Sequence, residues 1–538
     1  MKDISSTGSF INFYLNNYIY VDKTKYIRDL IKLERVFISR PRRFGKSLTL
    51  DTIATLFETG VEPYFKGTWI YDKWTEPTYP VLRLNFLDLD KYSLEHFKQK
   101  LNAIISSFAR DINVKNYEEK VEPEDTIYFL LDELRKEKRQ IVILIDEYDC
   151  QMTANINNET LYKQFQEKIK SFYATIKNKW AIKFLLITGV TKTKNSSVFS
   201  GTDINDITNY SPYSQMIGFT RDEIKKYYID YLKLASSYEN NCSVDNVTDE
   251  QIESMLDMMA QNYDGYCFDE FYKKKVFSTW SVNSFFQSII ENKFVDFGDY
   301  WYDNGGLPSI LVNYLKAHKL NSLDYVEKDK TITIRVNDFK NPTSLTSINQ
   351  NVLMCQTGYL TLRSPVYSKG FMTLGIPNSE VYNALLSLMA LNIFDDTKLE
   401  NVNEQILSQS KDVGEIIELF NTVLNTVSYD NYPISSEAVV QQLLYMYLKG
   451  ICNSVSAELH SSKGRADLVI ESDNRRIVFE FKYAKNEIEA KVKLSEAIEQ
   501  IKTRDYGNIV PKKAELLRIA AVFNADPKVR AFTEYHEV

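Results

Sequence analysis

A chain of 538 residues is too long for one ordinary core, so two or three domains are expected. Its 44% hydrophobic and 25% charged residues are those of a soluble globular protein, and a net charge of −7 excludes a general nucleic-acid coat. Five cysteines (Cys150, Cys242, Cys267, Cys355, Cys452) and four histidines (His96, His318, His460, His536) are scattered, which argues against a disulfide framework and a His/Cys metal cluster. No apolar leader follows Lys2 and Asp3, and apolar runs such as 141–145 are far short of a membrane span. A reducing, cytoplasmic setting without membrane contact is therefore expected.

In chain order, residues 36–39 read as a short buried strand, followed by an Arg/Gly loop and a helix over 47–58. Residues 81–86, 141–145 and 183–190 are further strand candidates, separated by helical patterns that include 95–112 and 159–177. This alternation predicts a parallel sheet with helices on both faces. After Gly218-Phe219 the character changes. Thr220-x-x-Glu223 and Thr248-x-x-Gln251 read as capping boxes, and Ile252, Met255, Leu256 and Met259 repeat at helical spacing as a packed core face.

Residues 320–430 are mixed, with strand candidates at 331–336 and 358–362. From Asn431 onward a helix over 438–448 precedes strands over 454–460, 467–471 and 476–484, with a tight turn over 472–475. A helix over 486–504 and a strand over 518–524 follow. The predicted domains are 1–219, 220–320, 321–430 and 431–538. Residues 451–538 hold 15 Lys/Arg against 14 Asp/Glu, so nucleic acid would most easily be met there.

Two motifs carry chemistry. Arg40-Pro41-Arg42-Arg43-Phe44-Gly45-Lys46-Ser47 follows a strand and opens a helix, as a phosphate-binding loop does. Such a loop needs flexible backbone to aim N–H groups, a lysine for the β/γ charges and a hydroxyl for magnesium; Gly45, Lys46 and Ser47 supply these. The usual first glycine is replaced by Arg40. The loop arginines, Arg42 and Arg43 among them, compensate electrostatically or contact a neighbouring subunit's nucleotide in a homo-oligomer. Residues 143–147 form an apolar run ending in Asp146-Glu147, which places one carboxylate to hold hydrated Mg²⁺ and the next to orient the attacking water. Thr188 could sense the γ-phosphate or simply cap its strand.

The second motif is Gly464-Arg465-Ala466-Asp467, then Glu480-Phe481-Lys482. Alternation along a strand puts Glu480 and Lys482 on one face and Phe479 and Phe481 on the other. Asp467 on the neighbouring strand can meet them. Two carboxylates suit a hard divalent cation, and the lysine can position or deprotonate its water, the layout of a metal-dependent phosphodiesterase. A surface hairpin with alternating charges is the competing reading.

Tyr20-Val21-Asp22-Lys23-Thr24, the loop through Leu48, Ile145-Asp146-Glu147-Tyr148-Asp149, Thr188-Gly189-Val190 and residues 197–208 together resemble the AAA-ATPase-like family. Tyr300-Trp301 with Gly306-Leu307-Pro308 resembles its lid segment, with Asn304 where a threonine is often seen. That family commonly ends in a PD-(D/E)XK nuclease domain, which residues 431–538 resemble, with Ala466 at the proline position. The resemblance implies an α/β fold: an N-terminal P-loop-type sheet, a helical middle module acting as a lid, and a C-terminal restriction-endonuclease-like domain. It implies ATP and Mg²⁺ as cofactors, with Mn²⁺ an alternative in the nuclease site, and DNA in preference to RNA as partner. It adds Gln500 and Tyr506 as the motif that follows the catalytic strand, and Glu437 and Glu458 as further candidate ligands. The expected function is phosphodiester cleavage controlled by nucleotide state. The alternative is a nucleotide-controlled switch whose C-terminal domain binds nucleic acid without cutting it.

Overall fold

The computed structural model describes residues 1–538 except 178, 194–203, 304–309, 312–313, 315–324, 326–327, 368, 395–406, 408–409, 428–432, 452–454, 462–463, 472–473, 505, 508–512 and 514. It describes no side chains at 302–303, 387, 390–392, 449–451, 456–461 and 464–465. Part of the predicted 197–208 motif, the segment Asn304 to Pro308, the boundary at Asn431, Cys452 and the Glu458 side chain therefore lie outside the described residues. The chain forms two units, one of Met1–Lys319 and Lys328–Tyr382, the other of Leu320–Glu327 and Asn383–Val538.

In the first unit, strands β1 (Arg35–Ser39), β2 (Val81–Asn85), β3 (Ile141–Asp146), β4 (Ile182–Gly189) and β5 (Asn205–Asp206) form one parallel sheet ordered β2-β3-β4-β1-β5. Every residue of β3 is buried, as a strand covered on both faces requires. The crossovers are helical and include Lys46–Thr59, Leu94–Asp111, Pro123–Lys136 and Glu159–Ile176. Because β4 lies between β1 and β3, Thr188 pairs with Ile38 while its neighbour Ile187 pairs with Ile145. That order sets the end of β4 between the loop after β1 and the acidic end of β3.

The four helices Arg221–Tyr227, Ile229–Glu239, Asp249–Tyr263 and Thr279–Asn292 pack a common core with Ile19 and Val21 from the start of the chain. Both capping boxes form, each threonine accepting from the N3 backbone while the N3 side chain returns to the cap. Met255 and Met259 are fully buried, so the stripe is core. A three-stranded antiparallel sheet follows, with β6 (Ile332–Arg335), β7 (Thr361–Leu362) and β8 (Phe371–Gly375) in the order β6-β8-β7. The strand expected from 358 starts later because Gly358, at φ +95°, caps the Gln350–Thr357 helix.

The second unit is built on β9 (Val455–Ser461), β10 (Gly464–Glu471), β11 (Arg475–Ala484), β12 (Glu515–Asn524) and β13 (Ala531–Glu537), ordered β13-β12-β11-β10-β9. Only β11 and β12 run parallel within this sheet, and the Glu487–Arg504 helix makes the crossover between them. Strand β10 begins three residues before Asp467, because Gly464, Arg465 and Ala466 already pair with β9. Phe479 and Phe481 pack under Phe420 of the Val413–Thr426 helix, with ring centroids 5.1 and 6.3 Å away. Among the described residues no helix is long and apolar enough to cross a membrane. Cys150, Cys242, Cys267 and Cys355 are free thiols.

Candidate nucleotide and metal sites

Gly45 takes φ +96°, a conformation that a side chain would strain, and so turns the loop into the Lys46–Thr59 helix. The loop is tied to the helical group by its own carbonyls. Arg43 accepts from Thr279 Oγ1 at 3.0 Å and Trp280 N at 3.3 Å, and Phe44 accepts from Gly218 N at 3.2 Å. Between them lies a cavity of about 380 Å³, within the range of small-ligand sites. Arg42, Arg43, Gly45, Lys46, Ser47 and Glu147 all line it.

Lys46 is buried, donating to the carbonyls of Arg40 and Pro41 at 3.1 Å each, with Glu147 Oε1 3.7 Å away. Asp146 is the hub of the acidic end. Its Oδ2 accepts from Ser47 Oγ at 2.6 Å, and its Oδ1 accepts from Thr188 Oγ1 at 2.5 Å and from Glu147 N at 3.0 Å. Hydroxyl and carboxylate oxygens in contact are a donor set that fits Mg²⁺. Thr188, fully buried, reaches the site through Asp146 and does not line the cavity. Burial holds the Glu147 carboxyl above its usual range; Lys46 opposes this, while Asp149 and Asp146 reinforce it. A carboxyl so placed suits a proton acceptor.

Asp149, quoted with the same motif, is occupied elsewhere. It accepts from Val190 N at 3.3 Å, and from Thr191 N and Oγ1 at 2.7 and 2.5 Å, so it pins the exit of β4. Gly189 is needed for close approach, since a Cβ there would stand 2.5 Å from the Tyr148 ring. Arg43 donates to the carbonyls of Tyr300 and Trp301 at 3.3 and 3.1 Å and stacks on Trp280 at 4.5 Å. The lid-like segment is thereby joined to the loop. Wall residues from distant segments (Ile19 to Val21, Met216 to Phe219, Trp280, Asn283) were not singled out from sequence as cavity residues. The only signal for them was Tyr20-Val21 in the family motif.

In the second unit, Glu480 is 1% exposed and Lys482 Nζ donates to its Oε1 at 2.7 Å. The same ammonium reaches Glu437 Oε1 at 3.3 Å and the Phe481 carbonyl at 3.0 Å. Asp467 Oδ2 accepts from Phe481 N at 2.8 Å, and its own carbonyl accepts from Gln441 Nε2 at 2.6 Å. The structure thus brings Asp467, Glu480, Lys482 and Glu437 together. Burial and the Asp467 charge raise the Glu480 carboxyl to about 7 against the pull of Lys482, with Glu437 adding to the rise. Burial lowers Lys482, but its carboxylate partners outweigh this and hold it above its usual value.

Glu480 Oε2 is buried without a hydrogen-bond partner. An orphaned carboxylate oxygen beside a second carboxylate is a fit for a divalent cation. Among the described residues no three His, Cys, Asp or Glu side chains group around one point. Gln500 Nε2 donates to Tyr506 Oη at 3.1 Å and Arg504 Nη1 to the same oxygen at 3.2 Å. Tyr506 packs with Ala466, Val478 and Ala497, so this pair locks the crossover helix onto the sheet that carries the site.

Residues 5–199 match the family described as predicted AAA-ATPase, and residues 435–532 match the PD-(D/E)XK nuclease superfamily. A protein of Azotobacter chroococcum mcd 1, described as an uncharacterized protein in the vnfD 5'region, is 25% identical over 533 residues, covering 95% of this chain and 94% of its own. The crystal structure of Cdc6p from Pyrobaculum aerophilum is 10% identical, covering 69% of this chain and 93% of its own, with a TM-score of 0.22. The chain joins an AAA-ATPase-like domain at its N-terminal end to a PD-(D/E)XK nuclease superfamily domain at its C-terminal end.

Proposed function

We propose that this chain is a nucleotide-regulated, metal-dependent nuclease acting on DNA in preference to RNA in the cytoplasm. The observation that carries this reading is the buried Glu480 with its unpartnered oxygen, set beside Asp467 and under Lys482. Asp467 and Glu480 would hold Mg²⁺ or Mn²⁺, with Glu437 joining if Lys482 releases it. A cation there supplies Lewis-acid activation of water and charge stabilisation on the attacked phosphate. Lys482, a charged ammonium, would orient that water as a hydrogen-bond donor. In the first unit, Lys46 would turn from the Arg40 and Pro41 carbonyls to the phosphates of ATP. Arg42 and Arg43 would flank those phosphates, Ser47 and Asp146 would hold Mg²⁺, Thr188 would position Asp146, and Glu147 would accept the proton of the attacking water. ATP would regulate cleavage, because phosphodiester hydrolysis itself needs only metal and water.

The domain limits proposed for this function are 1–219 for the ATPase, 220–320 for the lid, 321–430 for the connecting region and 431–538 for the nuclease. The second reading, a switch that binds nucleic acid without cutting it, is favoured by Lys482 Nζ, which occupies Glu480 Oε1 and Glu437 Oε1, oxygens a cation would need. Lys482→Ala separates them. Metal-dependent DNA cleavage lost while DNA binding persists supports the nuclease; a wild-type protein that binds DNA and never cuts it supports the switch.

A further inference from the structure

A second cavity of about 380 Å³ lies within the first unit, with Arg40, Lys192, Asp206, Phe268, Lys340 and Val366 in its wall. Arg40 stands where a usual phosphate loop has its first glycine, yet the residue lines this cavity and does not line the nucleotide cavity. It is 1% exposed. Its Nη1 donates to the carbonyls of Ser39 at 2.9 Å and Thr208 at 2.5 Å, and its guanidinium carbon lies 4.2 Å from the centre of the Phe268 ring. The opposite edge is different: Nε and Nη2 are buried and have no hydrogen-bond partner.

Those two nitrogens carry the parallel N–H pair with which arginine grips a carboxylate or phosphate. Buried donors are almost always satisfied, so an empty fork on a buried cation calls for an acceptor. Asp206, whose charge reaches Arg40, is itself paired with Lys192 and accepts from Thr208 N at 3.0 Å. The wall holds three cations (Arg40, Lys192, Lys340) against two carboxylates (Asp206, Glu270), which leaves one positive charge over. Phe268 and Val366 supply an apolar side.

We propose that this cavity binds a small organic anion, its carboxylate or phosphate monoester on the Arg40 fork and its apolar body against Phe268 and Val366. The site is coupled to the nucleotide loop, because the carbonyl of the same residue holds Lys46 at 3.1 Å. The coupling rests on the nucleotide reading above; the anion binding does not.

The test is isothermal titration of the full chain with benzoate, phenyl phosphate and inorganic phosphate, which separates the two oxyanion sources and the apolar contribution. One or both aromatic probes should bind more tightly than inorganic phosphate, and binding should survive Lys46→Ala. It should weaken about tenfold in Arg40→Lys, which keeps charge and loses the fork. Should that variant fail to fold by circular dichroism, Lys340→Glu at the rim should weaken binding by about threefold. No binding of any probe overturns the proposal, as does binding abolished by Lys46→Ala and untouched at Arg40 or Lys340, which would place the anion on the nucleotide loop. A bound probe should also shift ATP affinity. An unchanged ATP affinity refutes the coupling, whereas absence of ATP binding altogether refutes the nucleotide reading and leaves the direct titration standing.

Discussion

Glu480 offers a quantitative test of the metal site. Its carboxyl titrates near 7, against 4.5 for the free group, because burial and Asp467 disfavour its charge. A cation can take Glu480 only as the carboxylate, so binding must expel whatever proton it holds. With a pKa of about 7, that is about 0.9 proton per ion at pH 6, about 0.5 at pH 7 and about 0.1 at pH 8. Lys482, held above its usual value, stays charged throughout and adds nothing. The folded-state pKa is raised, so the stabilisation from the proton is complete below pH 4.5 and is lost as pH rises through 7. The ion-free protein should lose about 3 kcal/mol from this group over that window. Calorimetric titration with Mn²⁺ in buffers of different ionisation enthalpy reads the proton count directly. Glu480→Gln should abolish the pH-dependent part. Proton release that stays flat between pH 6 and 8, or that persists in Glu480→Gln, would refute the reasoning.

Other outcomes follow from single contacts. Lys46→Ala should weaken ATP binding at least about tenfold by calorimetry, since the phosphates lose their buried cation. Glu147→Gln should bind ATP as the wild type does and show no phosphate release; measurable turnover would remove Glu147 as the proton acceptor. Gly189→Ala forces a Cβ to 2.5 Å from Tyr148 and 2.6 Å from Asp149, and should cost about 1–3 kcal/mol in chemical denaturation of the first unit. Tyr506→Phe removes the acceptor for both Gln500 and Arg504 and should cost about 1–2 kcal/mol, with the melting transition of the second unit as the readout.

Much of this arrangement was legible in the residues because local physics decides it. The continuous apolar run of β3, the two capping boxes and the Glu-x-Lys alternation on β11 each determine a side chain's direction without reference to distant chain. What escaped was set by long-range pairing. Nothing local to Thr188 says that β4 inserts between β1 and β3, and so nothing says that its hydroxyl would be spent on Asp146. Asp149 stands in the same motif as Asp146 and Glu147, but its partners, Val190 and Thr191, lie some forty positions away. Strand β13 was not foreseen, because an edge strand that is largely exposed on both faces has no apolar alternation to betray it. Arg40 was visible as a departure from the glycine pattern; that it lines a cavity other than the nucleotide cavity is a property of the packed loop alone.

The most direct test of the central claim is cleavage by the purified full chain. Plasmid, linear and single-stranded DNA, and RNA, would be offered with Mg²⁺ or Mn²⁺, with and without ATP, beside Asp467→Ala. The account predicts metal-dependent DNA cleavage that ATP modulates and that disappears in the variant. Cleavage equal in Asp467→Ala, or no cleavage of any substrate by a wild-type protein that binds ATP, would contradict it.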